Sequence, residues 1–457
     1  MGCAARQGPP ASATAVAAVP GGPPPAAVTP PPLAVAGPGP GIDPSDPRSG
    51  ERHLRRAIFD GTWTLVRDKH YDKTLGGLDW NAMRTRYEPL ALGAPDAATF
   101  YRFLNQMLGE LGQSHLEVAG PGAPPSPAFD PEAPPSSGGE ADPGFVVRII
   151  EGRPTVTLVR PQSSAERAGL RAGFIVTHIG GWQVQTAMRG GRPLRPVEER
   201  FYARLAASRR LLGPTGSRVT VKYLDAQDRP GEVVLEREVS KERPVKLGLL
   251  PPLYPEVRVS QVGDIGVLAF NLFLSEGVLP RVQSAIDGFR ARKSRAVIID
   301  LRGNPGGQGA VAIPIAARLT DRPLTLGTLQ FREFNQVFTA SPPLGVKPFT
   351  GTVVIVTDEG TASTAEILAA GLKEAGRALV VGDTSLGAVL PSQVESLPGG
   401  AVIQYVVADF RTPKGVLLEG RGVQPDRRVH ETRAALLAGR DPVLDAALVA
   451  ARASRPR

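Results

Sequence analysis

Two short β-branched runs, Ala296-Val297-Ile298-Ile299 and Val353-Val354-Ile355-Val356, each feed a turn marked by glycine. Both read as buried strands bounded by turn residues. The first leads into Asp300-Leu301-Arg302-Gly303-Asn304-Pro305-Gly306-Gly307. There Asn-Pro and Gly-Gly impose a loop whose backbone N–H groups no Cβ crowds, and such amides can hold an anion. The second passes Asp358-Glu359-Gly360 and enters Thr361-Ala362-Ser363-Thr364-Ala365-Glu366. Ile367, Leu368 and Leu372 then recur at helical spacing as far as Ala375, so Ser363 sits where a strand becomes a helix. A hydroxyl there can cap the helix, as can Thr361 or Thr364. It can equally be a nucleophile, because free N–H groups and the helix dipole favour the negative charge that grows on an attacked carbonyl. The local pattern leaves both readings open.

Taken together and in order, the two turns resemble those of the tail-specific, or carboxyl-terminal-processing, serine peptidases of family S41. In that family the D-L-R-x-N-x-G-G turn contributes the oxyanion hole and the later turn carries the nucleophile in the position that Ser363 fills. Gly376-Arg377-Ala378-Leu379-Val380-Val381-Gly382 and Glu419-Gly420-Arg421-Gly422-Val423-Gln424-Pro425-Asp426 resemble two further family segments, and the likeness extends over nearly everything after Glu51. One departure stands out. Tail-specific members use a Ser–Lys dyad, and the lysine position in Gly382-Asp383-Thr384-Ser385-Leu386-Gly387-Ala388 holds Ala388. A methyl group cannot take a proton from Ser363. Lys373, on the helix behind the nucleophile, and Lys414, in a Pro-Lys-Gly turn, are poor substitutes.

Leu111-Gly112-Gln113-Ser114-His115 resembles the Ser-His element of the tricorn-type branch, which uses a Ser-His-Ser-Glu tetrad. The resemblance implies His115 as general base, Ser363 as nucleophile, and Ser114 with a carboxylate, preferably Glu419, orienting the ring. An imidazole can both accept the serine proton and return it to the leaving amine near neutral pH. The alternative is an ordinary histidine at a helix end; His53, His70, His178 and His430 carry no comparable motif. The implied oxyanion hole combines the amide of Gly306 or Gly307 with that of Thr364, while Arg302 and Asn304 are expected to brace the turn.

A run from Val159 to Gly181, with Ser163-Ser164-Ala165-Glu166-Arg167-Ala168-Gly169-Leu170 at its heart, resembles the signature of PDZ domains, with Phe174 replacing the usual aspartate. It implies that Gly144, Phe145, Val146 and Val147 form the loop and edge strand that receive a peptide C-terminus. The fold class expected is therefore α+β and multidomain: an N-terminal helical cap, a PDZ-like β domain and a crotonase-like α/β core. The expected boundaries are 1–50 for a disordered Pro/Ala-rich tether, 51–118 for the cap and 119–142 for a Pro/Gly/Ser-rich loop. The PDZ-like domain takes 143–245, the peptidase core 246–432 and a C-terminal helix 433–457.

With 42% hydrophobic and 21% charged residues, the 457-residue chain has enough apolar material for more than one domain. No apolar run is long enough to span a membrane. The single cysteine, Cys3, excludes an internal disulfide. It resembles the residue that bacterial lipoproteins acylate, which would tether the protein to a membrane of the cell envelope on the periplasmic side; the alternative is an incidental cysteine. A formal charge of +9 comes without any nucleic-acid motif, so acidic substrates or anionic envelope surfaces fit better than RNA or DNA. Metal-ligand spacing, a Walker loop and a dinucleotide fingerprint are lacking, and no cofactor or metal is expected. Oligomeric state is not fixed by the sequence. The expected partner is a protein or peptide substrate, and two functions follow: an endopeptidase acting through an acyl-enzyme, or a peptidase-fold protein that binds peptides or lipophilic ligands without cleaving them, which Ala388 favours.

Overall fold

The computed structural model describes residues 47–121, 139–184, 194–239, 244–245 and 247–453. Cys3, nearly all of the expected tether and most of the 119–142 loop lie outside the described residues. Residues 51–457 form one compact unit of helices and several sheets, an α+β architecture.

Three helices, Pro47–Lys69, Trp80–Leu92 and Ala97–Gly109, open the described chain. The second and third start where Asp79 accepts from Ala82 N and Asp96 from Thr99 N, side-chain caps that satisfy otherwise orphan donors. Residues spaced three and four apart turn inward: Phe59, Trp63 and Val66, then Trp80, Tyr87 and Ala91, then Phe100, Leu104 and Met107. This core is not closed by the helices alone, since Leu397, Ala401, Ile403 and Tyr405 complete it. The strand Glu117–Ala119 pairs antiparallel with Val402–Val406, so the segment carrying Ser114 and His115 is stitched onto a distant part of the chain.

The central sheet has six strands in the order Arg427–Arg428, Ala378–Gly382, Thr352–Thr357, Ala296–Asp300, Ile265–Phe270 and Val257–Val262. All neighbours are parallel except the last pair. Strands buried on both faces read as unbroken apolar runs, which is why the two β-branched runs carry no alternation. Val297, Ile299, Val353 and Ile355 face one hydrophobic cluster with the helices Leu279–Ala291 and Thr364–Glu374. Ile298, Val354 and Val356 face another beneath the helix Pro442–Ala453. Asp441 caps that helix through Val443 N and Leu444 N.

A further antiparallel sheet is built from Phe145–Ile150, Arg153–Val159, Ile175–Ile179, Arg218–Leu224 and Pro230–Glu236. The helix Pro196–Leu211 lies along Phe145–Ile150. A three-stranded sheet of Asn335–Ala340, Leu324–Phe331 and Ala408–Arg411 covers the helix Thr364–Glu374.

Candidate active site

Because Ala296–Asp300 and Thr352–Thr357 are parallel neighbours, their turns emerge side by side. Leu301 N donates to Val356 O at 2.9 Å and Ala362 N to Asn304 O at 2.9 Å. Gly303 N donates to Asp358 Oδ1 and Thr361 Oγ1 to Leu301 O, both at 2.8 Å. Gly306 has φ 96°, and a Cβ there would stand 2.7 Å from Ser363 Cβ and 2.9 Å from Thr364 N. Only glycine permits so close an approach. Asn304 is fully buried and braces the turn, its Nδ2 donating to Phe270 O while its Oδ1 accepts from Gly306 N. The Gly306 amide is therefore committed, whereas those of Gly307 and Thr364 have no hydrogen-bond partner among the described residues. Sequence reasoning treated the two glycines as equivalent because the side-chain bond from Asn304 is not visible in a motif.

Ser363 has φ 55° and ψ −123°, a conformation that costs a non-glycine residue about 1–3 kcal/mol and persists only where surroundings impose it. Its amide is shared between Ala388 O, 2.8 Å away, and Glu366 Oε2, 3.1 Å away. The hydroxyl makes no capping bond. Glu366 is wholly buried beneath the turn and also accepts from Ser385 Oγ, from Gly387 N at 2.7 Å and from Ala388 N at 3.0 Å. Burial pushes its pKa up to about 7, against the pull of those donors and with a further push from the nearby Glu419. The four donors converge on an ionised carboxylate, which accepts and does not donate. Sequence reasoning gave Glu366 only a minor place; its spacing three residues after Ser363 was the available signal.

A buried ionic lattice braces both turns from below. Arg302 pairs with Asp300 at 2.6 Å, Asp441 at 2.7 Å and Glu431 at 2.8 Å. Arg148, on the strand Phe145–Ile150, reaches Glu431 at 2.6 Å, Glu359 at 2.8 Å and Asp358 at 3.1 Å. Burial alone would raise the Glu359 pKa, but the Arg148 charge and hydrogen bonds outweigh it and hold the carboxyl at about 2. No local pattern marks Arg148, Glu359 or Glu431, because their partners lie up to 283 residues away.

Ser114, His115 and Glu419 come together across 305 residues of chain. Glu419 Oε1 accepts from Ser114 N at 2.8 Å, and Oε2 accepts from Ser114 Oγ at 3.2 Å and from Val389 N at 3.0 Å. Ser114 Oγ lies 2.7 Å from His115 Nδ1. A hydroxyl has one proton, and the carboxylate claims it. Nδ1 must then be the donor toward Ser114, which leaves the Nε2 lone pair free. Burial lowers the His115 pKa to about 4, so the ring is neutral at pH 7. Val389 adjoins Ala388, the residue whose carbonyl receives Ser363 N, so one short segment touches both halves of the site. No hydrogen bond joins His115 Nε2 to Ser363 Oγ among the described residues; such contacts often tighten only when substrate binds.

The lysine position of the tail-specific pattern is apolar here: Ala388 packs with Ala362, Leu386 and Phe201. Lys373 Nζ is engaged elsewhere, by Gln424 O at 2.6 Å and Asp426 at 3.0 Å.

Of the residues expected to receive a peptide, Phe145 and Val146 line a cavity of about 580 Å³ between Phe145–Ile150, the helix Pro196–Leu211 and the segment Leu250–Tyr254. Val147 packs, with Phe145, into the sheet's own core. Gly144 N is held by Asp142 Oδ1. The cavity reaches the two catalytic-type turns at Gly303, Pro305 and Gly360.

Residues 264–429 match the model of peptidase family S41, and residues 52–109 match that of the tricorn protease C1 domain. The chain is 26% identical over 385 residues to the chloroplastic carboxyl-terminal-processing peptidase 3 of Arabidopsis thaliana, covering 82% of this chain and 68% of that protein. It is 25% identical over 374 residues to the carboxyl-terminal-processing protease of Synechocystis, covering 81% and 80%. Among solved structures, the photosystem II D1 C-terminal processing protease shares the fold with a TM-score of 0.55 at 21% identity, over 82% of this chain and 93% of the other. The two turns meet inside the stretch, residues 264–429, that matches the model of peptidase family S41.

Proposed function

We propose that the protein is a serine endopeptidase of the carboxyl-terminal-processing type that uses histidine in place of lysine and cleaves unfolded or C-terminally exposed proteins. Ser363 Oγ attacks a peptide carbonyl while His115 Nε2 takes its proton. The amides of Gly307 and Thr364 receive the oxyanion, and the imidazolium passes its proton to the leaving amine. Water then releases the acyl-enzyme by the same route. Ser114 and Glu419 act as positioning residues.

The observation that carries this reading is the bonding of one serine, Ser114, to both Glu419 and His115 Nδ1, because it leaves Nε2 unprotonated. The apolar setting of Ala388 and the engagement of Lys373 support the absence of a lysine base. The 143–245 sheet with its flanking helix we assign as a PDZ-like module, with Phe145 and Val146 as its peptide edge, and the 246–432 sheet as a crotonase-like core. Helices 51–118 form the cap, and 433–457 the closing helix. The proposed place of action is the bacterial cell envelope, with Cys3 as a proposed lipidation site. Among the described residues no helix is long and apolar enough to cross a membrane.

The test is digestion of an unfolded protein by the wild type, Ser363→Ala and His115→Ala, with fluorophosphonate labelling in parallel. Loss of both cleavage and labelling in each variant is expected. Equal residual cleavage by wild type and Ser363→Ala would identify a binding protein instead, and labelling that survives His115→Ala would point to another base.

A further inference from the structure

We propose that His70, far from the site in sequence and without any motif of its own, is a positioning residue for the catalytic imidazole, acting through Gln113 on the Ser114-His115 turn. The proposal rests on His115 being the general base.

His70 follows the last residue of the helix Pro47–Lys69 and is fully buried. Its Nδ1 lies 3.1 Å from both the N and the O of Asp72. Nε2 lies 2.7 Å from Gln113 Oε1, which only accepts, so Nε2 donates to the glutamine and Nδ1 accepts from Asp72 N. Gln113 Nε2 also donates to Tyr71 Oη at 3.3 Å, and the Tyr71 ring stacks on His70 at 4.6 Å between centroids. The His70 carbonyl accepts from Arg332 Nη1 at 2.7 Å, a guanidinium from the turn after the strand Leu324–Phe331. A helix end and an aromatic ring thus meet one glutamine, and a core hairpin holds that helix end.

Gln113 directly precedes the pair that must be held. Gly112 has φ 65° and His115 φ 59°, so the segment between them is bent on both sides and does not keep its shape by secondary structure. The strand begins only at Glu117. Between the helix that ends at Gly109 and that strand, Gln113 anchors one side of the turn and Glu419 the other. An imidazole that is free to rotate about its own side-chain bonds loses the alignment on which proton transfer depends. A bond two residues upstream, made by buried groups, restrains the backbone that carries it.

The experiment compares Gln113→Met, which keeps length and removes the polar end, with His70→Asn and His70→Gln. A glutamine at position 70 can place an amide near the Nε2 position; asparagine cannot reach it. Loss of a supporting contact of this kind is expected to lower kcat about 10–100-fold with KM within about twofold. Gln113→Met and His70→Asn should both show that loss, their double variant should be no worse than either, and His70→Gln should stay within a few-fold of wild type. Wild-type kcat in Gln113→Met, additive losses in the double variant, or equal losses in His70→Asn and His70→Gln would overturn the proposal.

A second readout needs no substrate. Long-range ¹H–¹⁵N spectra of the protein with labelled histidines, five in all, report the tautomer of each ring. His115 should hold a single Nδ1–H form in the wild type and a mixture of tautomers in Gln113→Met. An unchanged single tautomer there would refute the clamp even if the wild type proved to have no peptidase activity, which is a failure of the catalytic reading and is seen separately as absent Ser363-dependent cleavage.

Discussion

The proposed nucleophile and the proposed base are held by opposite means. Ser363 stands on a turn fixed by a parallel sheet, two interlaced loops, a buried glutamate and an ionic lattice, nearly all of it from residues 296–441. His115 stands on a short bent segment held by Glu419 on one side and Gln113 on the other. The first arrangement is over-determined and can store a strained φ; the second has few redundant contacts. Damage beneath Ser363 should therefore appear as lost stability together with lost activity. Damage around His115 should appear as lost activity in a protein that still folds.

The largest expected effects remove the reacting groups. Ser363→Ala and His115→Ala should each lower kcat/KM by about 10⁴-fold or more, and the double variant should be scarcely worse, because the two act as a unit. Thermal unfolding of both should stay close to wild type. Additive losses would break the pairing on which the comparison rests.

Next comes Glu366→Leu. It strands the donors of Ser385, Gly387 and Ala388 in a dry interior, and a buried donor left alone costs about 1–3 kcal/mol. Chemical denaturation should show a loss of about 3 kcal/mol or more, together with loss of turnover. By contrast Ser114→Ala, on the base side, should leave the denaturation midpoint nearly unchanged while it reduces kcat.

The comparison also explains what could be read in advance. The two core strands, their turns and the helix that follows Ser363 were legible because each follows from local periodicity and turn chemistry. Ser114, His115 and Glu419 were legible only through family likeness, since no spacing rule links residues 305 positions apart. Glu366, one turn into its helix, read from sequence as either facing the dipole or lining the cleft. Its burial depends on where Ser385 to Ala388 pass, which only tertiary structure decides. His70 had no mark at all, because its role comes from a contact with a glutamine 43 residues later. The distinction between Gly306 and Gly307 was likewise hidden, being set by one side-chain bond from Asn304.

pH should separate the two regions further. Burial raises the Glu366 pKa to about 7 and lowers that of His115 to about 4. A raised carboxyl adds stability that is complete below the unfolded value near 4.5 and lost as pH rises through about 7. A lowered imidazole adds stability that is complete above 6.5 and lost as pH falls through about 4. The two therefore oppose one another over the mildly acidic range. For catalysis, His115 stays unprotonated well below neutrality, and protonation of Glu366 is the first to alter the four-donor cradle. The acid limb of kcat/KM is expected near pH 7, and a limb at pH 4–5 would mean that the cradle tolerates the proton. In His115→Ala, stability should rise as pH falls from 7 toward 5, whereas the wild type should change less.

A lysine placed at position 388 tests whether the base could sit on the nucleophile side. In its present setting Ala388 meets Ala362, Leu386 and Phe201, an apolar surrounding in which a buried ammonium is costly. Ala388→Lys in the His115→Ala background should recover no cleavage and should lower stability by about 2–4 kcal/mol. Recovery to within about tenfold of wild type would show that the two modes of support are interchangeable.

The smallest effect belongs to the peptide edge. Val146 is exposed to the cavity beside the helix Pro196–Leu211, and strand addition there relies mainly on backbone bonds, with side chains adding selectivity. Val146→Asp places a charge where a C-terminal carboxylate would approach. It should raise KM several-fold for unfolded proteins with a free C-terminus and leave kcat unchanged, and a short internal peptide should be cleaved as by wild type. Arg148 lies two residues along the same strand and grips Asp358 and Glu359 next to the nucleophile turn, so the outcome also locates where recognition ends and bracing begins. A fall in kcat for both substrates would mean that this strand supports Ser363 as well as the peptide, and that the over-determined half of the site extends farther than the turns themselves.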